Sequence, residues 1–147
     1  MEFKTPSQQA IYEKVVPLMK ELFGEMAQAR EDRPTFGIRA GSAWVQTWVS
    51  AWGDDDATLT TRAWLTTGTE LTVDLARYLL NLNDEARFGA FGIDKDGDTF
   101  FEHTILGSTV SKEELKASIM AVASTADEHD DEIVSRFGGI RMADRPS

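Results

Sequence analysis

Residues 43–67 read AWVQTWVSAWGDDDATLTTRAWLTT, and the alternation in this stretch sets the fold class. From Ala43 to Trp52 every second residue shares a side, which puts Trp44, Gln46, Trp48, Ser50 and Trp52 on one face and Val45, Thr47, Val49 and Ala51 on the other. Both faces of this strand are apolar. Gly53 to Asp56 form a turn, because Gly and Asp either tolerate unusual backbone angles or bond their own backbone. Ala57 to Thr67 make the next strand, with Leu59, Ala63 and Leu65 opposite Thr58, Thr60, Arg62 and Trp64. Upstream, Phe36 and Ile38 mark a short strand and Gly41-Ser42 the turn that leads from it. Three consecutive strands joined by short turns imply an antiparallel meander.

Outside the meander the period changes to that of helices. Thr5, Pro6 and Gln8 read as a helix start, with Thr as the cap and Pro at the first position, where its missing N–H costs nothing. Ile11, Val15, Leu18, Leu22 and Met26 continue that helix to about Arg30, bent at Pro17. Thr72 caps a second helix from Val73 to about Leu82, with Asp74 well placed in its first turn. Val73, Leu75, Tyr78, Leu79, Leu80 and Leu82 surround most of this helix, so it needs cover on more than one side. Arg87 to Ile93 and Thr99 to Leu106 are two more strands flanking an Asp96-Gly97 hairpin signal. Ser111 with Glu114 is a capping box that opens the last helix, and Gly138-Gly139 end it. The expectation is an α+β fold in the order α-β-β-β-α-β-β-α, a five-stranded antiparallel sheet packed against helices. One domain over 1–140 is followed by a flexible tail, 141–147.

Composition narrows the function. The chain has 147 residues, of which 41% are hydrophobic and 27% charged, a balance suited to one packed domain. A net charge of −10 repels nucleic acid and acidic membrane surfaces. With no cysteine, thiolate metal sites are excluded, two histidines leave almost no room for a multi-histidine site, and no cofactor is expected. The first residues carry Glu2, Lys4, Gln8 and Gln9 in place of an apolar signal core, and no stretch suits a membrane span, so the expected compartment is the cytosol.

The element order, together with the stretch LLNLNDEARFGAFGIDKDGDTFFEHTILGSTVSKEELKASIMAVASTADEHDDEIVSRFGG from Leu79 to Gly139, resembles YbjN-domain proteins, cyanobacterial ones in particular, and the type III secretion chaperone fold. The resemblance implies a homodimer that binds peptide or protein segments and carries out no chemistry.

The candidate sites follow from both readings. Trp44, Trp48 and Trp52, joined by Trp64, either fill the core beneath the first and last helices or anchor a partner, since each ring can bury ~150–250 Å². Asp127, Glu128, Asp130, Asp131 and Glu132 are either a solvated face or a landing site for a basic client. Leu75, Tyr78, Leu79 and Leu82 are the candidate dimer interface, a second copy supplying the missing cover. Asp94, Asp96 and Asp98 fail the EF-hand pattern, whose sixth and twelfth positions are here Thr99 and Ile105, and read as a hairpin turn. Glu102 and His103 are adjacent on a strand, point to opposite faces and cannot work as an acid–base pair. The expected function is a non-enzymatic, chaperone-like protein that binds a protein or peptide client. The alternative is a permanent subunit or assembly factor of a larger complex.

Overall fold

The computed structural model describes residues 1–40 and 43–146. Helix α1 spans Pro6–Phe23, and the Thr5 hydroxyl accepts the Gln8 N–H at 3.0 Å, as the sequence indicates. Pro17 lies on its exposed side and the helix continues through it. Strands follow at β1 (Ala27–Ala29), β2 (Thr35–Ala40), β3 (Ala43–Trp52) and β4 (Asp56–Thr67), then helix α2 (Val73–Glu85), strands β5 (Ala90–Ile93) and β6 (Thr99–Leu106), helix α3 (Lys112–Phe137) and strand β7 (Ile140–Arg141). The Gly41-Ser42 turn falls outside the described residues.

The mixed α+β architecture and the antiparallel meander β2-β3-β4 agree with the sequence reading, but among the described residues the sheet has seven strands, not five. β1 was hidden inside the expected first helix. That helix stops at Phe23 because Gly24 takes a positive φ of 55°, and after a short 3-10 turn Ala27–Ala29 pair with β2. β7 is two residues long, and Gly138 and Gly139, with φ of 84° and 80°, swing it back onto the end of β4. Neither strand is long enough to show a period of two. The strand order is β1-β2-β3-β4-β6-β5, so β6 lies between β4 and β5. Arg141, at the head of the segment expected as a tail, pairs with Thr66 in the sheet and with the carboxylates of Asp131 and Asp144.

Helices α1 and α3 cover one face of the sheet. Between them and the strands lie Val15, Met19, Ile38, Val45, Val49, Leu59, Ala63, Leu65, Phe101, Leu115, Ile119, Val122 and Ile133, all buried. At roughly 1.5–3 kcal/mol for each large aliphatic side chain buried, this layer dominates the folding energy. A polar pair within this layer, Thr47 and Thr61, is satisfied by a hydroxyl–hydroxyl bond of 2.7 Å. A bulge in β4 between Trp64 and Thr66 turns both Leu65 and Thr66 inward. The Thr66 hydroxyl then meets those of Thr69 and Thr99, at 2.8 and 2.6 Å.

Glu102 and His103 do face opposite ways. Glu102 reaches Arg62 on the side away from the helices, whereas His103 turns toward α3 and sets its Nδ1 2.8 Å from the Ser118 hydroxyl. Burial holds the His103 imidazole below its ordinary value near 6.5, with Glu114 pulling the other way. Below that pH the folded protein binds fewer protons than the unfolded chain, so this group's contribution to stability is lost as acid is added. Urea midpoints measured from about pH 7 down to about pH 5 should therefore fall less steeply in His103→Asn than in the wild type. Identical slopes would take His103 out of the acid response.

Candidate functional site

Among the described residues, no α-helix packs on the sheet face opposite α1 and α3. Because Val45, Thr47 and Val49 point into the core, Trp44, Gln46, Trp48, Ser50 and Trp52 must point outward. Trp44 is 42% and Trp52 62% exposed, while Trp48 and Trp64 are half-buried among their neighbours. The alternative in which the rings fill the core beneath the helices does not hold, since that space is taken by the aliphatic side of each strand.

Arg62 organises the middle of this face. Its Nε and Nη2 donate to Glu102 Oε2 at 2.9 and 2.7 Å across the β4–β6 ladder. The guanidinium lies 3.7 Å from the centre of the Phe100 ring, 5.5 Å from that of Trp64 and 5.8 Å from that of Trp48. An arginine in that position holds three rings by cation–π attraction while its charge is balanced by Glu102. Trp64 is fixed further by its indole N–H, which donates to Asp94 Oδ2 at 3.0 Å. Asp94 Oδ1 accepts the backbone N–H groups of Asp96 and Asp98. Burial works against the charge of Asp94, but these donors together with Arg62 hold its carboxyl below the usual range. The Asp94–Asp98 segment is thus a hairpin turn that also clamps a tryptophan.

Two glycines let the outer rings lie flat. A β-carbon on Gly37 would fall on the Trp44 indole, and one on Gly92 would fall on the Phe100 ring. Arg39 stands over Trp44, 6.0 Å from its ring centre. Across the face these residues make an aromatic platform, Trp44 on β3, Trp64 and Arg62 on β4, and Phe100 on β6, with Trp48 and Trp52 further along β3. A hollow of about 440 Å³ opens beside Trp48, between Gln46, Gln8, Arg30 and Pro34. Another of about 460 Å³ joins Trp44 and Trp64 to Ala126, Asp130 and Met142.

The acidic stretch on α3 divides. Asp130 is buried to 9% exposure, its Oδ1 accepts the Asp131 N–H, and burial pushes its carboxyl up. Asp131 pairs with Arg141 and Glu132 with Arg136, at 3.3 Å each. Asp127 and Glu128 are exposed. Among the α2 residues, Leu75 and Leu79 face the protein's own core at 0% and 4% exposure, whereas Tyr78 and Leu82 are half-buried. Burial, with Glu132 beside it, pushes the Tyr78 hydroxyl up to about 12. The outward apolar residues here are Leu71, Val73 and Leu80, at 63%, 73% and 67% exposure.

Sequence reasoning missed Arg62, Phe100, Gly37 and Gly92 as members of the platform. Arg62 shares its side of β4 with Trp64, which was visible, but Glu102 and Phe100 join them only through the β4–β6 pairing of distant segments. Gly37→Ala should lift the Trp44 ring, raising its acrylamide quenching and altering the near-ultraviolet circular dichroism, with the far-ultraviolet spectrum unchanged. An unchanged aromatic spectrum would show that Gly37 does not seat the ring.

The model of the family described as T3SS (YopN, CesT) and YbjN peptide-binding chaperone 1 matches residues 9–145. No curated protein matches the chain. Among solved structures, a chain of the ExsC–ExsE complex is 17% identical and superimposes with a TM-score of 0.66, over 83% of this chain and 95% of that one. A chain of the HopA1–SchA chaperone–effector complex is 14% identical, with a TM-score of 0.61, over 82% of this chain and 94% of that one. At these identities the likeness is one of fold.

Proposed function

The chain belongs to the family of T3SS (YopN, CesT) and YbjN peptide-binding chaperones, and we propose that it is a non-enzymatic, chaperone-like protein of the cyanobacterial YbjN type that holds a peptide or protein segment of a cytosolic client. The observation that carries this reading is the open sheet face with four tryptophans on it. A sheet covered by helices on one side only would ordinarily show polar residues on the other. Here the uncovered side holds aromatic rings already oriented by Arg62, Asp94 and two glycines. Rings fixed before binding lose little freedom when a partner arrives, which favours affinity. Of the acidic residues considered for steering a basic client, Asp127 and Glu128 are exposed to solvent, and Asp130, Asp131 and Glu132 each bond to neighbouring groups of the chain.

A second copy of the chain is the partner proposed for α2. Val73 and Leu80 lie seven residues apart on one side of that helix, both exposed, with Leu71 before them and Tyr78 and Leu82 at the margin. In an isologous pairing this strip meets its own copy, and Leu75 and Leu79 support it from beneath.

Pull-downs from the native cell test client capture, with wild-type protein and a Trp48→Ala, Trp52→Ala variant as parallel baits and mass spectrometry as the readout. A protein held by the first and lost from the second is the expected result, each truncated ring weakening capture by more than ~1 kcal/mol. Retention of the same set by both baits would remove the platform from the function. For the dimer, light scattering at micromolar concentration should give twice the chain mass for the wild type and a single mass for Leu80→Glu. A wild-type monomer would end that part of the proposal.

A further inference from the structure

The backbone hydrogen bonds limit where an extended client can lie. β3 is paired with β4 along most of its length and with β2 as far as Trp48, and β4 is paired with β6, so most of the ladder on the strands that carry the tryptophans is filled. At the margins, β5 covers β6 only over Thr99–Glu102, so among the described residues the last four of β6 have no strand on that side. At β5 the Asn83 side chain takes both backbone groups of Phe91, accepting its N–H at 2.6 Å and donating to its carbonyl at 3.1 Å, as a neighbouring strand would. Where β2 stops, the Val49 N–H goes to the Pro34 carbonyl and the Val49 carbonyl accepts Gln8 Nε2. β1, at the other margin, is three residues long.

We propose that the client segment lies on the open face, extended along β3, held by side chains and not by an added strand ladder, and read at intervals of four residues. This placement rests on the peptide-binding reading of the same face. Trp44, Trp48 and Trp52 follow one another at steps of four residues, about 13 Å at the strand rise of ~3.3 Å, with Gln46 and Ser50 between them. An extended chain has the same rise and shows every second side chain to one side. Its first, fifth and ninth residues therefore meet the three rings, and its third and seventh meet the Gln46 amide and the Ser50 hydroxyl. The first, fifth and ninth are large and apolar; the third and seventh form hydrogen bonds. Charge sets which end goes where. Beyond Trp52 the turn exposes Asp54 and Asp55, in a chain whose net charge is −10, so the segment carries Lys or Arg past the residue seated on Trp52.

Synthetic peptides titrated by calorimetry and tryptophan fluorescence test this. The first has Phe at its first, fifth and ninth residues, Gln or Ser elsewhere, and a Lys at the end. The second holds the same residues with Phe moved to every third position. Two more repeat the first with one or the other alternate set of backbone nitrogens methylated, which removes the N–H groups that an added strand would need. The first should bind and quench the indoles, the second should bind at least about tenfold more weakly, and the methylated forms should stay within about threefold of the first. Equal binding at both spacings overturns the four-residue register, and loss of binding on methylating either set overturns the placement on the face. Both results leave client capture standing, as does a failure of all four peptides while the pull-down still separates wild type from variant; that failure also overturns the placement. If no peptide binds and the two baits retain the same proteins, the peptide-binding reading falls as well.

Discussion

In a β-strand neighbouring side chains point opposite ways, and in this protein one side is committed. Val45, Thr47 and Val49 on β3, and Leu59, Thr61 and Ala63 on β4, lie beneath α1 and α3, where they account for much of the apolar burial. Sliding the register by one residue would expose that set and bury indoles in a space shaped for aliphatic groups. The outward position of Trp44, Trp48, Trp52 and Trp64 is thus enforced by the core on the other side of the same strands. The platform needs no stabilisation of its own to exist.

What the platform does need is order, and the neighbouring residues provide it. Arg62 sits between three rings with its charge answered by Glu102, so a cation at the centre of an apolar face carries no unbalanced charge. The Asp94 turn fixes Trp64 from one side, and Gly37 and Gly92 give Trp44 and Phe100 room to lie down on the backbone. This resembles the way aromatic side chains cover glycines in other sheets. The same residues that would count as structural on an ordinary strand here set the shape of a surface offered to a partner.

The rest of the molecule restricts how that surface is reached. Asn83 of α2 bonds Phe91 at the margin of β5, and Gln8 of α1 takes the Val49 carbonyl just past the point where β2 stops. Closing these margins protects the sheet from pairing with other chains, a standing hazard for exposed strand edges. α2 itself faces two ways, with Leu75 and Leu79 inward and Val73 and Leu80 outward. The apolar excess noticed around this helix is real, but the inward half belongs to the chain's own core.

Alternation and capping, both local, were enough to place α1's start, the β2-β3-β4 meander, the Asp96-Gly97 hairpin and the Ser111 cap of α3, because each rests on residues close together in the chain. The separation of Trp44, Trp48 and Trp52 from Val45 and Val49 was equally local. Which of those two faces the helices cover was not, since a period of two marks sides without saying which is inside. β1 and β7, three and two residues long, are strands only because a longer strand lies beside them to accept their hydrogen bonds. The Arg62–Glu102–Phe100 cluster and the Asn83 bond to β5 likewise join segments that meet only when the chain folds. Sequence determined the elements and the composition of each face; packing of the helices on one of them decided which became core and which became surface.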